Sequence, residues 1–101
     1  MLRSVEYATR ATFNLKAIKS FIAQENPTAA LQVVEYITDS ADGLINFPLL
    51  GKPWTMTDTR KLVLSKFPYS IIYKLTPTKV IVLVVAHQSR KNKQPRSGRK
   101  Q

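Results

Sequence analysis

The sequence predicts an α+β fold, in which an N-terminal helical hairpin packs on one face of a small antiparallel β-sheet. In the first half of the chain apolar residues recur at three- and four-residue steps, which is the period of an amphipathic helix. In the second half the period becomes two, as in β-strands. Because 101 residues suffice for a single two-layer core, we expect one domain over residues 1–90, followed by a basic tail over residues 91–101.

The helical half follows a short strand predicted at residues 4–8. From Thr9 a helix of about four turns is predicted, because one stripe of it is apolar and contains Ala11, Leu15, Ile18 and Ile22. Asn26 suits an N-cap and Pro27 suits the first position of a second helix, which continues to Leu44. The break between the helices is short, so they should form an antiparallel hairpin.

The strand half begins after a loop, "NFPLLGKPWT", that contains two prolines and one glycine. Three strand-like runs follow, "RKLVLSKF", "YSIIYKL" and "KVIVLVVAH". The links between them are short, which favours antiparallel pairing. The third run is apolar at both parities and is therefore predicted to be a central strand that is covered on both faces.

Composition excludes several classes of site. The chain has no cysteine, so disulfides, zinc ribbons and thiol nucleophiles are excluded. One histidine and six carboxylates speak against a metal site, and we expect neither a metal nor a cofactor. The N-terminus lacks the apolar region of a secretory signal, and the longest apolar run has seven residues, whereas a membrane span needs about 20. We therefore expect a cytoplasmic protein with no membrane association.

Charge points to a polyanionic or acidic partner. The net charge is +10, and six of the 16 basic residues follow His87 with no acidic residue among them. RNA, DNA or an acidic protein would be attracted by such a field. The alternative is a tail that only aids solubility.

The candidate site residues are basic and aromatic. His87 closes the last predicted strand, where it could transfer a proton, although a structural hydrogen-bonding role is the alternative. Arg60 opens the first strand after the loop, and Arg90 could bind a phosphate or remain solvated. We expect Trp54 to cover the edge of the core, and stacking on a base is the alternative. Tyr69 and Tyr73 lie on a predicted core face and are expected to pack there.

No phosphate-binding glycine loop, Ser-His-Asp arrangement or pair of neighbouring carboxylates is present in the sequence. If the protein is an enzyme, its side chains suit metal-independent cleavage of a phosphodiester. In that case we expect Arg60, His87 and Arg90 to be catalytic and to converge where the first and last of the three strands lie side by side. Five lysines are predicted to contact nucleic acid, namely Lys52, Lys61, Lys66, Lys91 and Lys93.

The order of these features resembles the RelE/ParE superfamily of bacterial toxins from type II toxin–antitoxin modules. The matching stretches are "AIKSFIAQENPTAALQVVEYI", "FPLLGKP", "TRKLVLSKFPYSIIYKL" and "VIVLVVAHQSR". The resemblance implies a helical hairpin on a twisted antiparallel sheet. It also implies a cognate antitoxin that binds and silences the toxin in a hetero-oligomer.

Two activities occur in the superfamily. RelE-like members cleave mRNA on the ribosome, and ParE-like members poison DNA gyrase without that catalytic set. The basic residues and His87 favour the mRNA interferase, although no tyrosine follows Tyr73 and the "HQSR" ending also resembles ParE-like sequences. The alternatives are a gyrase inhibitor and an inactivated member that only binds a partner.

Overall fold

The computed structural model describes residues 3–88, which form two helices and five strands. In chain order the elements are β1 (Ser4–Tyr7), α1 (Thr9–Ala23), α2 (Pro27–Gly43), β2 (Lys52–Pro53), β3 (Thr59–Val63), β4 (Tyr69–Leu75) and β5 (Lys79–His87). The strands form one sheet in the order β1-β5-β4-β3-β2. β1 and β5 are parallel, and the other neighbours are antiparallel. The predicted α+β architecture is confirmed.

The helical hairpin forms for the reasons that the sequence indicates. The side chain of Asn26 accepts a hydrogen bond from the backbone N–H of Ala29 at 3.0 Å, and Pro27 is the first residue of α2. One helical face is buried, with Ala11 from α1 and Val33, Ile37 and Ala41 from α2 in the core. The hairpin therefore covers one side of the sheet.

The two sides of the sheet differ in what they contact. Its helix-facing side contributes buried residues of β4 and β5 to the core, namely Tyr69, Ile71, Tyr73, Val80, Val82 and Val85. A β-bulge lies in β5, because Ile72 pairs with Val84 whereas Tyr73 pairs with Val82. The alternate residues, such as Lys61 and Ile72, form the open side. There Ile81, Val84 and Ala86 keep partial exposure.

Several details differ from the prediction. β5 is a central strand, as predicted. The prediction that both of its faces are covered is wrong, since the helices cover only one side of the sheet. The loop after α2 contains the two-residue strand β2, which pairs with Arg60 and Lys61. β3 ends at Val63, because the chain bends over residues 65–68 before β4 begins. β1 ends at Tyr7.

No helix in the described part of the chain is long and apolar enough to cross a membrane. The predicted basic tail, residues 91–101, lies outside the described residues. Its separation from the domain therefore stays a prediction.

Candidate functional site

Arg60 lies on the helix-facing side of β3, where it is paired with Tyr73. Its guanidinium points to a loop rather than along the sheet surface. Nε donates a hydrogen bond to the carbonyl of Gly51 at 2.7 Å, and Nη2 lies 3.5 Å from the carbonyl of Leu49. The residue is half-buried. Arg60 therefore anchors residues 47–51, a segment that we call the 47–51 loop.

Tyr73 anchors the same loop from the core. The residue is fully buried, and its hydroxyl donates to the carbonyl of Pro48 at 2.7 Å and accepts from the N–H of Gly51 at 2.9 Å. Burial raises the pKa of the Tyr73 hydroxyl above its usual value, although the hydrogen bond from Gly51 and the charge of Arg60 act in the opposite direction. Tyr73 therefore remains a neutral hydrogen-bonding group near pH 7.

The 47–51 loop presents apolar side chains to solvent. Phe47, Leu49 and Leu50 are 68%, 66% and 62% exposed. The prolines and the glycine of this segment predicted a connecting loop, and its exposed apolar surface was not predicted. The available signal was the composition of "FPLLG", in which three large apolar residues sit between turn residues instead of the polar residues that usual loops contain.

His87 lies at the other end of the helix-facing side. It is the last residue of β5 and is paired with Tyr69, the first residue of β4. The two rings meet edge to face, with their centroids 5.2 Å apart. His87 also lines a cleft of about 660 Å³ between α1 and the end of the sheet. Arg10 and Phe21 of α1 line the same cleft, so a guanidinium that the sequence analysis did not select lies on the imidazole's side of the molecule.

Asn14 joins α1 to the strand that carries His87. β1 stops at Tyr7, which pairs with Val82, so beyond that point no strand of residues 3–88 pairs with the outer edge of β5. The side-chain oxygen of Asn14 accepts a hydrogen bond from the N–H of Val85 at 3.0 Å. This bond holds α1 along the outer edge of β5, and α1 thereby forms one wall of the cleft.

Arg60 and His87 do not converge. The expectation that the first and last of the three predicted strands lie side by side is wrong, because β4 lies between β3 and β5. Arg60 is opposite Tyr73 and His87 is opposite Tyr69, four residues apart along β4. At about 3.3 Å per residue this is about 13 Å along the strand alone. Arg90, the third predicted catalytic residue, lies outside the described residues.

The predicted nucleic-acid contacts fall in separate places. Lys52 and Lys61 are directly paired between β2 and β3, and Lys61 Nζ lies 4.6 Å from the centroid of the Trp54 ring. Lys66 lies in the turn after β3, with Nζ 5.8 Å from the ring centroid of Tyr36. Lys91 and Lys93 lie outside the described residues. The roles of all five in binding nucleic acid stay predictions.

Comparison with known proteins identifies the fold and the class of this chain. The family model described as "ParE toxin of type II toxin-antitoxin system, parDE" matches residues 5–92. The putative toxin Y4kP of Sinorhizobium fredii (strain NBRC 101917 / NGR234) is 32% identical over 87 residues, which cover 85% of this chain and 91% of that protein. Toxin RelE2 of Caulobacter vibrioides (strain ATCC 19089 / CIP 103742 / CB 15) is 32% identical over 89 residues, or 88% of this chain and 99% of that one.

A solved structure shares the fold. The chromosomal ParDE toxin–antitoxin system of P. aeruginosa contains a chain that superposes with a TM-score of 0.75 at 21% identity, covering 85% of this chain and 96% of that one. The hairpin on an open five-stranded sheet, the family match over most of the sequence and the two toxin relatives agree. This chain therefore belongs to the ParE toxin family of type II toxin–antitoxin systems, within the RelE/ParE superfamily.

Proposed function

We propose that this toxin arrests growth by binding DNA gyrase, as ParE-like members of the superfamily do, and that it does not cleave RNA. The observation that supports this most directly is the use of Arg60. A nuclease without a metal needs cationic donors aimed at the scissile phosphate and a proton-transfer group beside it. The guanidinium of Arg60 is instead directed at backbone carbonyls of the 47–51 loop.

Distance supports the same conclusion. Acid–base catalysis requires the transferring group within hydrogen-bond reach of the reacting atoms, or one water away. Arg60 and His87 are about 13 Å apart in the direction of the strands, and β4 also lies between the strands that carry them. A single phosphate cannot contact both side chains in this arrangement. The match to the ParE toxin model is a third support.

Ribosome-dependent mRNA cleavage is the second candidate, and two observations favour it. His87 and Arg10 line the same cleft, so an imidazole and a guanidinium are available on one surface. The relative named Toxin RelE2 also carries the name of the nuclease branch. In this case Arg10 would take the phosphate-binding role that the sequence analysis gave to Arg60.

In either case we propose that the toxin acts in the cytoplasm and is silenced there by a cognate antitoxin in a hetero-oligomer. The family assignment to type II systems supports this pairing. An inactivated member that only binds a partner is the remaining alternative, and growth arrest on induction of the soluble chain would exclude it.

The test uses purified protein in two assays, one for gyrase inhibition and one for mRNA cleavage on ribosomes, and compares matched variants in both. The parent chain should inhibit supercoiling by gyrase, or trap gyrase-linked DNA breaks, while mRNA on translating ribosomes stays intact. His87→Ala should retain this inhibition and should still arrest growth, as should Lys19→Ala, an exposed cation of α1 that serves as the control. Cleaved mRNA with the parent chain, lost with His87→Ala and kept with Lys19→Ala, would establish the nuclease instead.

A further inference from the structure

Another concave surface lies between the 47–51 loop and the turn that joins β2 to β3. It has a volume of about 470 Å³, and we call it the β2–β3 pocket. Its apolar lining comes from three segments, with Leu49 from the loop, Trp54 and Met56 from the turn, and Leu75 from the end of β4. A concave, mostly apolar surface with a few polar groups is the usual form of a binding site.

Hydrogen bonds within the chain hold both walls of the pocket. Arg60 and Tyr73 hold the loop wall through its backbone. In the turn, the N–H and hydroxyl of Thr59 donate to the Met56 carbonyl, and the N–H of Trp54 donates to the Thr59 carbonyl. The pocket is therefore formed before a ligand binds, which lowers the entropic cost of association.

Arg60 supplies the positive charge of the pocket. Its guanidinium has five N–H donors, and those on Nε and Nη2 are directed at the carbonyls of Gly51 and Leu49. Within residues 3–88 no acidic side chain forms an ion pair with this half-buried cation. Because a guanidinium binds carboxylates well through several donors, a carboxylate of a partner is the group that suits this wall.

The rest of the lining favours a peptide over a nucleic acid. Leu49, Met56 and Leu75 offer aliphatic contacts, which an apolar side chain uses and a sugar-phosphate backbone does not. Asp58 also lines the pocket, and its carboxylate repels the closely spaced phosphates of a nucleic acid. A peptide with one carboxylate beside an apolar side chain can bind Arg60 and fill the remaining space.

The sheet edge at the pocket is unsuited to the addition of a strand. β2 is the edge strand and has only two residues, of which Pro53 has no backbone N–H. A partner therefore finds little backbone to pair with and should insert a side chain instead. Met56 is 66% exposed, and its unbranched side chain can adapt to the shape of the inserted group.

We propose that the β2–β3 pocket binds an apolar side chain of the cognate antitoxin, with a neighbouring antitoxin carboxylate on Arg60. The proposal rests on the proposed function, in which a cognate antitoxin silences this toxin. Membership of a type II toxin–antitoxin family supplies that partner. An apolar side chain buried in a preformed pocket is the kind of contact that contributes most to the affinity of an interface, which a silencing partner requires.

Trp54 provides the readout, because it lines the pocket and is the only tryptophan of the chain. Toxin labelled with 5-fluorotryptophan therefore has a single fluorine resonance, even in a complex with an unlabelled partner. The antitoxin encoded beside this toxin should shift that resonance. N-acetyl-L-leucine, a carboxylate with one apolar side chain, should shift it saturably with a dissociation constant on the order of 1 mM. The uncharged N-acetyl-L-leucinamide should bind several-fold more weakly.

Two alanine variants test the apolar wall. Met56→Ala removes part of the wall, and Leu31→Ala is the matched control, since Leu31 is 51% exposed on α2. We expect Met56→Ala to weaken binding of the antitoxin about tenfold and to weaken binding of N-acetyl-L-leucine. Leu31→Ala should bind both like the parent. A Met56→Ala chain that keeps the parent's antitoxin affinity overturns the proposal, and if it also loses gyrase inhibition, the target is the occupant.

Removal of an acidic group tests the charge of the ligand with the opposite sign. Asp58→Asn should strengthen antitoxin binding about threefold at low salt, and the gain should shrink as salt screens it. Asparagine tolerates the φ of 62° at this position, so the turn keeps its shape. Asp39→Asn on α2 is the control, because it changes the net charge equally at an exposed position outside the pocket. Equal antitoxin affinities of the two variants would contradict a carboxylate beside Arg60.

The same measurements separate this proposal from the proposed function. If the antitoxin does not bind the parent chain, the proposed pairing fails, whereas a pocket that prefers the acid to the amide still supports a site for a carboxylate with an apolar side chain. If the antitoxin binds but neither it nor N-acetyl-L-leucine shifts the Trp54 resonance, the pocket is overturned and the pairing stands. A shift caused by gyrase or by a DNA duplex, and not by the antitoxin, overturns the antitoxin as the occupant.

Discussion

The two ends of the helix-facing side of the sheet use similar side chains for different purposes. At one end Arg60 and Tyr73 direct their polar atoms at backbone groups of the 47–51 loop, at distances of 2.7 to 2.9 Å for the three shortest bonds. At the other end His87 lies against the ring of Tyr69 and lines an open cleft with Arg10. The first end is a fixed support for a loop, and the second is a concave surface.

The difference shows why a residue type does not establish a site. An arginine at the start of a strand can bind a phosphate, but here two of its donors, on Nε and Nη2, are directed at carbonyl oxygens of the same chain. Releasing them to bind a ligand would leave those carbonyls without a partner, at a cost of about 1–3 kcal/mol. The cation that faces the cleft, Arg10, is on a helix that the sequence analysis considered only for its apolar stripe.

The largest effect should come from the close packing at Gly51. A Cβ atom at this position would lie 2.8 Å from the Tyr73 ring and hydroxyl and 2.9 Å from the carbonyl oxygen of Lys61. Because one of these neighbours is backbone, Gly51→Ala should lower the free energy of unfolding by about 3 kcal/mol. The change would separate the loop from its support, and chemical denaturation measures it.

Gly43 provides the control for this prediction. It is the last residue of α2, and a Cβ atom there would meet nothing within 4 Å. Gly43→Ala should leave the free energy of unfolding unchanged or raise it by about 0.5 kcal/mol, since alanine restricts the unfolded chain. Equal stabilities of the two alanine variants would show that the loop end is not closely packed.

The second effect concerns the hydroxyl of Tyr73. Tyr73→Phe removes the acceptor for the N–H of Gly51 and the hydroxyl that donates to the carbonyl of Pro48, so we expect a loss of about 2 kcal/mol in the free energy of unfolding. Tyr36→Phe is the matched control, because the Tyr36 hydroxyl is exposed and lies 3.5 Å from Ser65 Oγ. That variant should differ from the parent by less than about 0.5 kcal/mol. A similar loss of unfolding free energy in both variants would show that the Tyr73 hydroxyl has no special role in holding the loop.

Much of the fold could be predicted because its signals are local. Asn26 and Pro27 begin α2 through the capping bond and the missing N–H, and the periods of β4 and β5 gave their bounds. The parallel pairing of β1 with β5 could not be predicted in the same way. It joins Ser4 to Lys79 across most of the chain, and a four-residue strand carries too little pattern to select a neighbour.

The site was harder to predict because its geometry depends on strand order. The sequence places Arg60 near the start of β3 and His87 at the end of β5, but only the position of β4 between their strands shows that they are apart. The hydrogen bonds that hold the 47–51 loop could not be predicted for another reason. Tyr73 binds backbone atoms of Pro48 and Gly51, and backbone acceptors and donors leave no mark in the side-chain sequence.

The third effect, at the His87 end, concerns Asn14. Asn14→Ala removes the acceptor for the N–H of Val85 and should lower the free energy of unfolding by about 1 kcal/mol. Asn14→Asp keeps an acceptor oxygen at the same position and should recover most of the loss. If the alanine and aspartate variants have the same free energy of unfolding, the bond does not hold α1 to the edge of β5. Hydrogen exchange at the Val85 amide gives the local measurement.

The smallest effect is expected at Tyr7, whose hydroxyl is buried like that of Tyr73, and it depends on pH. The Tyr7 hydroxyl is buried and has no hydrogen-bond partner among the described residues, so Tyr7→Phe, unlike Tyr73→Phe, should change the stability at pH 7 by less than about 0.5 kcal/mol. Burial, followed by the charges of Asp42 and Asp39, raises the pKa of Tyr7 above 10.0. Above pH 10 the unfolded chain therefore loses this proton while the folded chain keeps it, and stability falls as pH rises through the folded pKa. Denaturation series from pH 9 to pH 11 should accordingly be flatter for Tyr7→Phe than for the parent, and an unchanged slope would mean that Tyr7 titrates alike in both states.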